Sequence, residues 1–154
     1  METISTKNQT IWYNPELLSQ VPEDDIVQIF EAEYWQQREA ILGCAQWRGT
    51  TWFIQLDGIQ AALRHYRRGG LFGKLIEDQY HFSDWEGTRC AMEVNVLNVL
   101  ANAGVNVPRP IAARATKSGR LYRADLMSER IPNAKDLVDV LVNGPIDADV
   151  YHRI

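Results

Sequence analysis

The hydrophobic residues between positions 91 and 104 recur at the spacing of an α-helix. They are Met92, Val96, Val99, Leu100 and Ala103, which share one face of a helical turn. Glu93 is the one acid inside this segment, and Gly104 stands where glycine commonly ends a helix. The pattern therefore predicts a helix from about Thr88 to Gly104.

Three segments that precede this helix have the composition of β-strands. Residues 40–43, 50–56 and 59–66 are rich in β-branched, aromatic and other apolar side chains. Asp57-Gly58 is a hairpin turn signal between the second and the third. These segments predict three antiparallel strands in hairpin order, with Gly43 and Gly49 in or beside the first turn.

Two more strands are predicted after the helix. Residues 111–114 and 120–130 flank Lys117-Ser118-Gly119, which has turn composition. Together the pattern predicts an α+β fold, with a five-stranded antiparallel sheet and one long helix.

The flanks of this unit are also patterned. Pro22 and the acids that follow it favour a helix start, and the apolar residues beyond predict a helix to about Arg38. Residues 1–14 are typical of a leader or an edge strand. Residues 136–142 are helical in pattern, and residues 147–154 resemble the start of another helix.

Composition limits the classes of function. The chain has 154 residues, 45% of them hydrophobic, and a net charge of −4, which fits one globular domain or one lobe and does not favour nucleic acid as a partner. Cys44 and Cys90 lack metal-ligand spacing, and no charged-then-apolar leader is evident, so we expect a reducing cytoplasm. No apolar run approaches the roughly 18 residues that cross a bilayer. Any membrane contact would be peripheral.

Four positions could form a nucleotide site, although each also has a plainer interpretation. Gly43 and Gly49 would let backbone N–H groups approach phosphates, but glycines are common in hairpins. Arg64 could be an exposed edge-strand arginine, and Glu93 a solvated helix acid. If the two face each other, they would form the ion pair that positions phosphate in kinases. The acids Asp136, Asp139, Asp147 and Asp149 lack the context of a cation loop, so no metal site is predicted.

Several longer runs are more specific. They are Arg48-Gly49-Thr50-Thr51-Trp52-Phe53, Leu63-Arg64-His65-Tyr66-Arg67-Arg68-Gly69-Gly70-Leu71, Val107-Pro108-Arg109-Pro110-Ile111-Ala112-Ala113-Arg114 and Met127-Ser128-Glu129-Arg130-Ile131-Pro132-Asn133-Ala134-Lys135-Asp136-Leu137. In this order they resemble the bacterial lipopolysaccharide-core kinases, which include kinases of 3-deoxy-D-manno-octulosonic acid (Kdo). The resemblance extends over about residues 30–154.

The resemblance implies a fold and a function. Residues 1–38 would be an amino-terminal leader and helix, residues 39–131 a protein-kinase-like amino lobe, and residues 132–154 the hinge exit and first carboxy-lobe helices. The implied activity is ATP-dependent phosphorylation of a Kdo hydroxyl in the lipid A–inner core precursor. It would take place at the cytoplasmic face of the Gram-negative inner membrane, to which the enzyme would bind peripherally.

The resemblance also implies site residues. The ATP-binding set comprises Gly43, Arg48, Gly49, Thr50, Ala62, Arg64, Glu93, Ser128, Glu129 and Ile131. Within it Arg64 stands where protein kinases have lysine, Ser128 at the gate of the pocket, and Glu129 and Ile131 at the hinge. Arg67, Arg68 and Lys74 would meet anionic groups of the lipid substrate or of the membrane.

The chain departs from the family pattern in three ways. Trp47 stands where another glycine is expected. Arginine replaces lysine at position 64, so a planar guanidinium with several N–H donors takes the place of a compact ammonium group. No His-x-Asp catalytic loop or Mg²⁺ motif occurs before Ile154. We therefore expect the catalytic aspartate and the Mg²⁺ ligands beyond Ile154, and expect this chain alone to be inactive and to self-associate. Two alternatives remain: another kinase-like small-molecule phosphotransferase, or a non-catalytic kinase-like binding module.

Overall fold

A computed structural model describes residues 1–46, 49–66, 79–132, 134, 137–142, 144 and 149. Its strands are β1 (Glu2–Ser5), β2 (Gln9–Tyr13), β3 (Ile41–Gln46), β4 (Thr50–Gln55), β5 (Gln60–His65), β6 (Tyr80–His81), β7 (Pro110–Ser118) and β8 (Leu121–Glu129). Its helices are a 3₁₀ turn (Glu23–Asp25), α1 (Ala32–Gln36), α2 (Arg89–Asn102) and α3 (Leu137–Val142). The fold is mixed α and β, as predicted, with an antiparallel sheet and few helices.

The sheet is larger than the five-stranded prediction. All the predicted strands are present, in the order β7-β8-β5-β4-β3, but the sheet has eight strands among the residues that the structure describes. The amino-terminal hairpin of β1 and β2 pairs with the outer edge of β7, and β6 pairs with β8. Ile11 and Tyr13 are buried in the core. That burial explains why a mostly polar amino terminus joins the sheet.

The prediction of one continuous helix from Pro22 to about Arg38 is wrong. The chain forms a 3₁₀ turn, a series of turns and then the short helix α1. Ile29, Phe30 and Trp35 are all buried. The Trp35 indole N–H donates to the Ile29 carbonyl over 2.7 Å, which takes the acceptor that a continuous helix would use. Core packing therefore overrides the helical pattern here.

The sheet buries both of its faces. One face packs against the segment from Leu18 to Trp35, in a cluster that includes Ile54, Leu63 and Met127. The other face packs against α2, in a cluster that includes Val94, Ala113 and Leu126. Because side chains alternate along a strand, Met127 belongs to the first face and its neighbour Leu126 to the second.

Helix α2 begins and ends where the sequence predicts, and Gly104 adopts a positive φ of 77° just after it. Its buried face, however, is made of the small residues Cys90, Ala91 and Val94. The apolar stripe is exposed, with Met92, Val96 and Val99 at 50%, 57% and 68% exposure. Small side chains allow the helix to approach the alanine-rich strands β7 and β8 closely.

Among the residues that the structure describes, no helix has the length and apolarity needed to cross a membrane.

Candidate functional site

The α2 face of the sheet carries an ion pair between Arg64 and Glu93. Alternation along β5 points Arg64 and Ala62 to this face, and Glu93 lies in the first half of α2. The Arg64 Nη2 donates to the Glu93 Oε1, so the pairing expected from the sequence is present. The two side chains are 43% and 36% exposed. The pair therefore joins the sheet to the helix while it remains open to solvent.

Tyr66, which the sequence analysis did not single out, completes this cluster. Its hydroxyl donates to the second carboxylate oxygen of Glu93, and the Arg64 guanidinium lies 5.0 Å from the centre of its ring. Burial raises the pKa of the Tyr66 hydroxyl, and the bond to Glu93 raises it further. The phenol thus stays protonated and remains a donor. We call Arg64, Tyr66 and Glu93 the Arg64 cluster.

Small and aromatic residues lie beside the Arg64 cluster on the same face. Ala62 is directly opposite Ser128 on β8 and opposite Phe53 on β4. Directly opposed residues in antiparallel strands point to the same face. Arg130 covers the Phe53 ring, with its guanidinium carbon 4.0 Å from the ring centre, and donates to Gln60 over 3.1 Å. Phe53 and Arg130 both lie in runs that carry the family resemblance, but no feature of the sequence assigned either of them a role.

The end of β8 is fixed by a two-point contact between Arg109 and Glu129. The Arg109 Nε and Nη2 donate to the two carboxylate oxygens over 2.8 and 3.1 Å. These hydrogen bonds lower the pKa of Glu129. The Glu129 N–H also donates to the Arg109 carbonyl over 2.8 Å. Ile131, two residues further on, is exposed.

Gly43 lies inside β3 at an irregularity in its pairing with β4, not in the turn between these strands, and Gly49 lies just before β4. Both glycines have backbones that favour glycine. Gly43 and Gly49 have φ angles of 151° and 155°, and a Cβ added at Gly43 would meet no atom within 4 Å. Thr50, by contrast, lines a cavity on the opposite face of the sheet, so its side chain is not beside Arg64. Arg48, Arg67, Arg68 and Lys74 lie outside the described residues.

A second charged cluster lies on that opposite face. The Arg114 Nε donates to Asp125 over 2.7 Å, and its Nη1 donates to Glu31 over 2.6 Å. His65 Nδ1 is 2.6 Å from the other Asp125 oxygen. Burial opposes the charge of Arg114, but the two carboxylates outweigh burial and leave its pKa raised. We call these four residues the Arg114 cluster; they border a cavity of about 640 Å³.

Within the described ranges, no three His, Cys, Asp or Glu side chains converge on a point where they could hold a metal ion. Cys90 lies on the buried face of α2, and burial raises the pKa of its thiol to about 11.

These features define a class: a mixed α and β domain whose sheet and long helix are joined by an arginine–glutamate pair. The chain belongs to the lipopolysaccharide kinase (Kdo/WaaP) family, whose model matches residues 32–151.

Similar curated proteins agree with this assignment. A 3-deoxy-D-manno-octulosonic acid kinase of Vibrio parahaemolyticus is 60% identical over 96% of this chain and 60% of its own length. Proteins of the same name from Photobacterium profundum and Vibrio cholerae are 54% and 52% identical over the whole chain and 64% of their lengths. The chain thus spans a little under two thirds of these relatives. No solved structure matches it.

Proposed function

We propose that residues 39–131 form the nucleotide-binding amino lobe of a kinase that uses ATP to phosphorylate a Kdo hydroxyl. The acceptor would be the Kdo-containing lipid A–inner core precursor. The observation that supports this most directly is the Arg64–Glu93 pair on the α2 face, in a chain of this family. Residues 132–154 would be the hinge exit and the first carboxy-lobe helices.

In this proposal Arg64 holds the phosphates of ATP. A guanidinium has five N–H donors, and the bond to Glu93 uses only one of its nitrogens. The remaining donors can bind phosphate oxygens while the carboxylate fixes the orientation of the fork. Kinases accelerate phosphoryl transfer mainly by positioning and by charge stabilisation, which are the contributions that this cluster can make.

The adenine would lie against Ala62 and Phe53, with Ser128 beside them and the end of β8 as the hinge. The Glu129 N–H is already bonded to Arg109, so Glu129 would offer its carbonyl to the base. Ile131 would offer the second backbone group. The backbones of Gly43, Arg48, Gly49 and Thr50 would cover the phosphates, which agrees with the side chain of Thr50 being on the far face.

The catalytic aspartate and the ligands of Mg²⁺ would come from outside this chain. The described residues hold no group of metal-binding side chains, so we assign no metal step to them. The expectation that this chain alone transfers no phosphate remains a prediction, which an assay of the isolated chain would test.

Contact with the cytoplasmic face of the inner membrane is also part of the proposal. Arg67, Arg68 and Lys74 give residues 60–75 a cationic character without any acid. Replacing all three with glutamate should weaken binding to anionic vesicles; unchanged binding would remove this role. We also propose that the chain self-associates through the exposed stripe of Met92, Val96 and Val99. Self-association should be lost when these three residues become serine.

The decisive experiment uses the complete gene product, γ-labelled ATP and a Kdo–lipid A acceptor. We expect label on the Kdo and a loss of kcat/KM of about tenfold or more in Arg64→Met, since hydrogen bonds to charged groups contribute about 1.5–3 kcal/mol. Arg120→Met, in an exposed turn, is the control and should retain activity. A heptose-containing acceptor is offered in a parallel reaction. Label on the heptose and none on Kdo would favour another small-molecule kinase, and no transfer to either acceptor would favour a binding module.

A further inference from the structure

Tyr66 contacts both members of the ion pair and is held firmly itself. Its N–H donates to the Ala124 carbonyl over 2.9 Å, which continues the pairing of β5 with β8 by one residue. Its ring packs against the cluster beneath α2. The hydroxyl is therefore attached to a residue whose backbone is still hydrogen-bonded to β8, one residue beyond the end of β5.

The two oxygens of the Glu93 carboxylate have separate donors. Arg64 binds Oε1 and Tyr66 binds Oε2. A glutamate side chain has three rotatable bonds, and fixing it costs conformational entropy. With only Arg64 as its partner, the carboxylate and the guanidinium could move together, because both are partly exposed. The Tyr66 hydroxyl removes that freedom.

We propose that Tyr66 is a positioning residue for ATP: it fixes Glu93, and through Glu93 it fixes the direction of the Arg64 guanidinium. This inference rests on the proposed function. Tyr66 does not touch the nucleotide in this account, and its effect passes entirely through Glu93. The prediction that follows is strong coupling between positions 66 and 93.

A double-mutant cycle on the complete gene product tests the coupling. Tyr66→Phe keeps the ring and removes the hydroxyl, and Glu93→Gln keeps the shape and removes the charge. We expect Tyr66→Phe to lower kcat/KM for ATP about tenfold in the native background, and less than about twofold when Glu93→Gln is already present. Unfolding curves of each variant check that the fold is retained.

The matched control is Tyr13→Phe. Tyr13 also donates its hydroxyl to a glutamate, Glu2 Oε2, over 2.8 Å, but on β2, away from the Arg64 cluster. It should leave kcat/KM for ATP unchanged. If Tyr13→Phe lowers kcat/KM as much as Tyr66→Phe, the effect is a general loss of packing and the inference is overturned.

Two further outcomes separate the inference from the function on which it rests. Equal losses from Tyr66→Phe in both backgrounds, or no loss at all while Glu93→Gln is impaired, would overturn the positioning role alone. If Glu93→Gln and Arg64→Met both retain full activity, the proposed nucleotide site fails and the role of Tyr66 fails with it.

Discussion

The two faces of the sheet each carry an arginine cluster, and the clusters differ chiefly in exposure. Arg64 and Glu93 are 43% and 36% exposed, whereas Arg114 and Asp125 are 16% and 8% exposed. A buried charge is tolerated only while its partners are present, so the Arg114 cluster is expected to maintain the fold. A half-exposed pair contributes little to stability but keeps donors available for a ligand. The two clusters contain the same kinds of charged group, but mutations in them should have different effects. Changes in the Arg114 cluster should mainly lower stability, and changes in the Arg64 cluster should mainly weaken ligand binding.

The largest effect on stability should come from Asp125→Asn. This change leaves the Arg114 guanidinium partly buried with Glu31 as its one remaining carboxylate, and it removes the negative charge facing His65. We expect a loss of about 3 kcal/mol in the free energy of unfolding, measured with urea.

Glu93→Gln is the matched substitution in the exposed cluster. It should lower the free energy of unfolding by less than about 1 kcal/mol. If Glu93→Gln proves the more destabilising of the two, the contrast between the clusters is wrong.

The next effect tests which face of α2 is buried. Val94 is 1% exposed and Val96 is 57% exposed, on the same helix. Val94→Ala should lower the free energy of unfolding by about 2 kcal/mol, because it removes buried apolar surface and leaves a cavity. Val96→Ala should change the free energy of unfolding by no more than about 0.5 kcal/mol. Equal costs in the same urea titration would contradict the orientation of the helix.

The smallest effect concerns pH and the pair of Arg109 and Glu129. Arg109 lowers the pKa of Glu129, so the pair stabilises the fold above the ordinary glutamate pKa of about 4.3, and this stabilisation is lost as the pH falls through the lowered pKa. Glu129→Gln should therefore lower the free energy of unfolding by up to about 1 kcal/mol at neutral pH. It should have no effect at a pH low enough to protonate Glu129 in both the folded and the unfolded state.

Arg109→Gln should give the same pH profile, and the double variant should add nothing further. A cost that is independent of pH would show that the charge of Glu129 is not what stabilises this pair.

Much of the sheet could be predicted, but the pairing of Arg114 with Asp125 could not. Lys117 and Ser118, which were predicted to lie in the turn, are the last residues of β7, and the turn is Gly119-Arg120. It sets a register in which Lys117 faces Tyr122 and Arg114 faces Asp125. Counting back from the predicted turn would have placed Arg114 opposite Tyr122, three residues away from its observed partner. The contribution of Glu31 could not be found in this way, because it comes from the irregular segment before α1.

The face of α2 shows the limit of periodicity. The helix is apolar on two sides, and spacing alone cannot say which side packs on a sheet. The small residues Cys90, Ala91 and Val94 are buried because strands β7 and β8 present alanines that allow close approach. Side-chain volume, rather than hydrophobicity, decides the orientation.

The Arg64–Glu93 pair followed from alternation in a strand and one acid in a helix, but Tyr66 did not. A tyrosine after an arginine-bearing strand has no sequence signature. Its role arises because β5 continues its pairing with Ala124 and so carries the phenol to the helix.

The central claim is that the half-exposed arginine binds the nucleotide and the buried one does not. The direct test is the dissociation constant of ATP, measured by calorimetry on the complete gene product for Arg64→Met and Arg114→Met. We predict that Arg64→Met weakens ATP binding about tenfold with little change in the unfolding midpoint, and that Arg114→Met lowers the midpoint with ATP affinity unchanged in the folded fraction. Unchanged affinity in Arg64→Met would contradict the account.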